Sequence, residues 1–316
     1  MKAGDRVIVT GGAGRLGRSV VRALADAGYD VVCIDRTTVA GLPAEQHEAD
    51  LLDAAATRSL FAELAPDAVI HLAAIAVPGA LPDPEVFDIN TRLAWNVLEA
   101  TVSAGAGALL VASSPTVIGY GSPSGWTPSY LPLDEQHPLA PWNGYAVSKV
   151  AIEQIVRMAV RRHGDTMRFG AFRPCYVIAP EEWQGALTQQ GHTVQERLAD
   201  PALSAPALFN YVDARDVATF VDTLLLALPE IPNAEVFFVG ADDALARRPL
   251  AELLPRFVPG TEDLAAELTG TAPAFSNAKA RRVLGWRPAH TWRGELGEPA
   301  YDPAPSPDLA RKDVLA

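Results

Sequence analysis

Tyr145 and Lys149 stand four residues apart in a stretch of helical periodicity, so one helix face carries a phenol and an ammonium side by side. An ammonium within about 6 Å favours the phenolate and draws a tyrosine from its ordinary pKa near 10 toward the range of a general base. With 7 tyrosines and 4 lysines in 316 residues, roughly 0.1 such spacings are expected by chance. Ser114 closes the apolar run Leu109 to Ser113, where a strand-tip hydroxyl can hold the oxygen that the tyrosine protonates. Ser114, Tyr145 and Lys149 are therefore the candidate catalytic residues. Cys33 and Cys175 form neither a metal-ligand spacing nor a disulfide framework, so no metal is expected.

A second chemical signature opens the chain. Val7-Ile8-Val9-Thr10 is a β-branched run that breaks into Gly11, Gly14 and Gly17, with Arg15 and Leu16 between the last two, and passes directly into a helical pattern. A strand-turn-helix of this kind aims free N–H groups and a positive dipole end at one point, and its glycines leave room for a pyrophosphate. After Gly28, the strand Val31 to Ile34 delivers Asp35 about 20 residues beyond the glycines, where an acid accepts from a ribose hydroxyl. The expected ligand is a dinucleotide. A carboxylate there opposes a 2′-phosphate by about 1 to 3 kcal/mol, so NAD is expected in preference to NADP. Arg36 is expected over the adenine or in solvent.

These residues need a scaffold that brings them together. Strands are expected at 68–74, 109–114, 167–172 and 236–239, and helices at 54–64, 84–105, 144–163 and 217–228. Their alternation predicts an α/β fold, a doubly wound parallel sheet (Rossmann fold), with Thr10, Asp35, Ala73 and Ser114 at one crevice. Residues 36–49 read as a loop. The segment 120–143, with Trp126, Tyr130 and Trp142, is too long for an idle connection and reads as substrate-facing. Residues 1–175, rejoined by 207–240, form the expected dinucleotide-binding domain. Residues 176–206 and 241–300 form a smaller, mainly helical C-terminal substrate lobe, and 301–316 a proline-rich tail.

A net charge of −12 repels a phosphate backbone, so nucleic acid is excluded as a partner. No apolar run approaches the roughly 20 residues needed to span a bilayer. The first strand begins near residue 6, which leaves no space for a leader. A cytoplasmic protein without membrane contact is expected.

Taken together, Thr-Gly-Gly-Ala-Gly-Arg-Leu-Gly at 10–17, Asp35, Asp50-Leu51, His71-Leu72-Ala73-Ala74, Ser113-Ser114, Tyr145-Ala-Val-Ser-Lys149, Arg173-Pro174 and Leu284-Gly285-Trp286-Arg287-Pro288 resemble the extended short-chain dehydrogenase/reductase family, also called the NAD-dependent epimerase/dehydratase family. The resemblance implies that Asp50 and Leu51 flank the adenine, that Leu72, Ala73 and Ala74 line the ribose and pyrophosphate, and that Pro174 lies near the nicotinamide carboxamide. Lys149 would also bond the nicotinamide ribose. Asn90 matches the family's asparagine and, with Ala112, completes the cofactor set. Thr116, Trp126, Trp142 and Tyr176 join Ser114 on the substrate side. Three departures stand out. Pro115-Thr116 replaces the Asp-Glu of sugar dehydratases, Phe209-Asn210 occupies the place of a diphosphate-gripping arginine, and Tyr176 replaces an asparagine.

The primary expectation is an NAD-dependent oxidoreductase that moves hydride between nicotinamide and a secondary alcohol or carbonyl of a sugar or sugar-like small molecule. The alternative is a nucleotide-sugar epimerase resembling UDP-galactose 4-epimerases, with tightly bound NAD. The intact Ser114, Tyr145 and Lys149 weigh against a non-catalytic dinucleotide sensor. The resemblance also implies a homodimer built by helices 84–104 and 144–163, with Ala94, Ala146 and Ala159 allowing close approach.

Overall fold

The computed structural model describes residues 1–77 and 79–301; the expected tail beyond Tyr301 lies outside them. Along the described chain run the strands β1 (Arg6–Thr10), β2 (Asp30–Asp35), β3 (Glu45–Glu48), β4 (Ala68–His71), β5 (Ala108–Ala112), β6 (Arg168–Pro174), β7 (Val177–Ile178), β8 (Val212–Asp213) and β9 (Glu235–Val239). The helices are α1 (Arg15–Asp26), α2 (Ala54–Leu64), α3 (Asp83–Ser103), α4 (Gly144–His163), α5 (Pro180–Trp183), α6 (Val194–Ala199), α7 (Ala214–Ala227), α8 (Leu250–Phe257), α9 (Glu262–Ala266), α10 (Ala278–Leu284) and α11 (Trp292–Leu296).

Seven strands form one parallel sheet in the order β3-β2-β1-β4-β5-β6-β9. Helices cover both faces, so the central strands are buried along nearly their whole length and mostly apolar. On one face α1 and α7 pack together, and on the other α2, α3 and α4 do. Local signals fix the helix starts. Asp53 accepts from the amides of Ala55 and Ala56 to start α2, and Asn143 accepts from Ala146 to start α4 (2.8 Å).

Two expectations required correction. Residues 45–48 are an edge strand rather than loop; Glu45-Gln46-His47-Glu48 has no apolar face because one side of the strand meets solvent. The run into Val177 divides into β6 and β7, and β7 pairs with β8 in a separate two-stranded sheet. Around that small sheet Tyr176, Ile178, Trp183, Tyr211, Leu245 and Trp292 build a core of their own.

Strand order reverses between β1 and β4, which places the crevice at their C-terminal ends. Thr10 and His71 are register partners there, and Thr10 Oγ1 shares a hydrogen bond with His71 Nδ1 (2.8 Å). Burial and then the nearby Lys149 lower the His71 pKa from 6.5 to about 3. The unfolded chain therefore binds a proton that the folded one refuses, and stability is lost as pH falls from about 6.5 toward 3. His71→Gln should flatten the dependence of unfolding free energy on pH across that window by up to about 1.4 kcal/mol per pH unit. Denaturant titration of both proteins between pH 4 and 7 measures it, and parallel slopes would refute it.

Candidate active site

A cavity of about 910 Å³ opens at the C-terminal ends of the parallel strands. The glycine loop forms one wall for steric reasons. Gly11 has φ +73°, and a Cβ there would sit 2.7 Å from Ala73 N; a Cβ on Gly17 would sit 2.1 Å from Gly11 O. The turn, the start of α1 and the segment after β4 can therefore approach closely only as glycine. Asp35, at the tip of β2, accepts from the amides of Ala13 (3.1 Å) and Arg36 (2.7 Å), which fixes its carboxylate beside the loop. The loop amides, the start of α1 and this carboxylate fit a dinucleotide's pyrophosphate and ribose.

At the other end of the cavity Tyr145 and Lys149 project from α4, with the Lys149 ammonium 5.6 Å from the Tyr145 ring centroid. Lys149 Nζ donates to Ala112 O at the end of β5 (2.9 Å). Ser114 Oγ accepts from Thr116 N (3.3 Å) and Thr116 Oγ1 (3.0 Å), which leaves its own hydrogen free to donate. Burial pushes the Tyr145 phenol above its ordinary value, and the Ser114 hydroxyl acts in the opposite sense. Burial also draws Lys149 down to about 8, against the pull of Glu153 one turn further along α4. The lysine thus carries its charge below about pH 8. Glu153 is itself shut in, accepting from Ser113 Oγ (2.6 Å) and from Arg173 Nε and Nη2 (2.8 and 2.9 Å).

The structure gathers nearly every residue proposed from the sequence into this cavity. Gly11, Gly14, Arg15, Leu16, Gly17, Asp35, Arg36, Asp50 and Leu51 line the dinucleotide end. Leu72, Ala73, Ala74, Ala112, Ser114, Thr116, Trp142, Tyr145, Lys149, Pro174 and Tyr176 line the rest. Asn90 does not reach it. Its amide is buried against the backbone of Ile75 (2.7 and 3.2 Å) and Ser148 Oγ (3.1 Å), so it shapes the segment after β4 instead of touching a ligand. Trp126 also faces elsewhere. Its indole donates to Ile118 O (2.9 Å) and its ring packs beside Tyr120 and His137. Among the described residues no cluster of His, Cys, Asp and Glu suits a metal, and no helix is long and apolar enough to cross a membrane.

Sequence reasoning missed Gln189 and Gln190, which also line the cavity, and read Asn210, a third lining residue, only as standing in an arginine's place. The glutamines sit in a polar segment without periodicity, so no pattern marked them. Arg15 Nη1 holds Gln189 Oε1 (3.1 Å) and Arg197 Nη1 holds Gln190 Oε1 (2.6 Å), so each carboxamide keeps its NH₂ group to offer. Asn210 Oδ1 accepts from Tyr176 N (2.7 Å) and follows two left-handed residues, Leu208 (φ +50°) and Phe209 (φ +57°).

The model of the NAD dependent epimerase/dehydratase family matches residues 7–240. UDP-glucose 4-epimerase from Mus musculus is 34% identical over 174 residues, 48% of this chain and 48% of that protein, so the chain spans about half the length of the curated relatives it matches in this way. UDP-glucose 4-epimerase from Lacticaseibacillus casei is 26% identical over 94% of this chain and 96% of its own length. Among solved structures, a UDP-glucose-4-epimerase from Stenotrophomonas maltophila, with bound NAD and formylated UDP-arabinopyranose, superposes with a TM-score of 0.71 at 20% identity, over 93% and 96% of the two chains. A putative epimerase from Burkholderia cenocepacia J2315 does so with a TM-score of 0.66 at 26% identity, over 94% and 97%.

The Lys149 titration has a direct readout. Affinity for NADH, followed by its fluorescence, should weaken as pH rises through about 8 and the ammonium is lost, and Lys149→Met should show no such step. A wild-type affinity that is flat from pH 7 to 9 would remove the ammonium from binding.

Proposed function

This chain belongs to the NAD-dependent epimerase/dehydratase family, and on that premise we propose that it is an NAD-dependent sugar epimerase with Tyr145 as its acid and base. The reading is carried by one observation: a single cavity gathers the glycine loop, Asp35 and the set Ser114, Tyr145 and Lys149. The relatives it resembles are UDP-glucose 4-epimerases, which favours epimerisation over the net dehydrogenation that the sequence put first. The Asp35 carboxylate, held by two amides, suits ribose hydroxyls and repels a 2′-phosphate, so the cofactor is NAD.

When bound, NAD supplies the acceptor for the hydride that leaves the substrate carbon and the donor that returns it. Tyr145 takes the hydroxyl proton as that carbon is oxidised and gives it back as the carbon is reduced, so the side chain ends as it began. Ser114 donates its free hydrogen to the same oxygen. The Ser114 hydroxyl opposes the cost that burial adds to ionising Tyr145, and the Lys149 ammonium, 5.6 Å from the ring, favours the same anionic form. Phe209 and Asn210 favour a second reading, net oxidation of a free sugar, because no guanidinium stands where a nucleotide diphosphate would be gripped.

The dimer belongs to the same proposal, with a change of surface. Ala94, Ala146 and Ala159 are buried within the subunit, so they are not the contact. Phe87 and Trp95, two turns apart on α3, and Val147 on α4 are exposed instead and form the proposed interface. A monomeric mass by light scattering at micromolar concentration would overturn it. A cytoplasmic setting, in keeping with buried free thiols at Cys33 and Cys175, is likewise part of the reading.

Incubation with UDP-glucose, with product analysis for UDP-galactose, tests the function. Interconversion without net NADH supports the epimerase, NADH formation from free sugars supports the second reading, and cofactor binding with neither reaction overturns both. Whichever substrate turns over, Tyr145→Phe should lower turnover at least about 100-fold while NADH affinity holds. Turnover within a few-fold of wild type would remove Tyr145 from the chemistry.

A further inference from the structure

The glycine loop is fastened from outside the parallel sheet. Arg15, the first residue of α1, donates to Val177 O (3.1 Å) and Gln189 Oε1 (3.1 Å) and pairs with Glu182. One turn further along α1, Arg18 pairs with Glu181. Segment 177–190 thus lies across the start of α1 on two ion pairs and two further hydrogen bonds, and Gln189 and Gln190 at its far end form cavity wall. The two pairs differ in kind. Glu182 is 2% exposed and also accepts from Ala179 N (3.0 Å), whereas Glu181 is about half exposed. Pulling Arg15 away would leave a buried carboxylate without its cation, which is far costlier than opening a surface pair.

Resting on the reading that this cavity takes NAD, we propose that segment 177–190 is a strap over the dinucleotide, clasped by Arg15–Glu182 and Arg18–Glu181, which makes the cofactor resident instead of exchanged at each turnover. The functional sense follows from the chemistry. An epimerase returns the hydride it removes and gains nothing by releasing the dinucleotide midway, whereas a dehydrogenase must release it every cycle. Glu181 and Glu182 lie outside the proton-transferring set, so weakening the clasp acts on cofactor exchange and leaves the chemistry to Ser114, Tyr145 and Lys149.

The test is the dissociation rate of NADH, read as loss of its fluorescence when excess NAD is added to the purified full-length protein. Glu182→Gln should speed release at least 10-fold, and Arg18→Ala a few-fold. The charge exchange Arg18→Glu with Glu181→Arg should return the rate toward wild type, a rescue that general loosening of the fold would not give. Should Glu182→Gln fail to fold, the surface pair and its exchange decide the matter alone. Release unchanged in folded variants overturns the strap while leaving the cofactor reading intact. A wild-type protein that binds no NADH overturns both.

Discussion

Two ions shut away from water hold this molecule's reactive parts in register. Glu153, one turn beyond Lys149 on α4, meets the Arg173 guanidinium at two oxygens and the Ser113 hydroxyl at one, while Arg173 lies 5.2 Å from the Phe238 ring. These contacts tie α4 to the ends of β5 and β6 and to β9, the strands that frame the proton-transferring groups. Such a pair adds little net stability, because desolvation consumes most of the Coulomb attraction, yet removing one partner alone costs about 3–5 kcal/mol. Its value is geometric. α4 cannot slide or rotate without stranding a charge, so Tyr145 and Lys149 keep their positions relative to Ser114.

Beneath the same groups the structure avoids a competing charge. His71 lies under the crevice at the end of β4, near enough to Lys149 to feel its ammonium, and burial keeps it neutral. Lys149, drawn down to about 8, thus titrates well above the buried imidazole beside it.

Much of this was legible in the sequence because the signals are local and steric. The glycines at 11 and 17 are demanded by approaches of 2.7 and 2.1 Å that any side chain would block, and the Tyr145–Lys149 spacing follows from helix geometry alone. What remained hidden depends on tertiary contact. Glu45–Glu48 has no apolar face, and its strand identity comes from pairing with β2. Asn90 carries a side chain that suits ligand or backbone equally, and only the fold shows that it holds Ile75. Gln189 and Gln190 become cavity wall where Arg15, distant in sequence, and Arg197, seven residues on, orient them.

Phe209 carries a consequence for which side chains position 209 can hold. It stands where the family resemblance places an arginine, yet it adopts φ +57°, directly after Leu208 at +50°, and is buried against Phe257. An arginine written into that codon would inherit a left-handed backbone and an apolar niche, with its charge facing aromatic rings instead of the cavity. A cation at 209 would therefore require the turn around Leu208 and Phe209 to change with it. Position 209 is thereby held to an apolar side chain by its backbone and its aromatic neighbour, and the polar group beside the cavity there is the Asn210 amide.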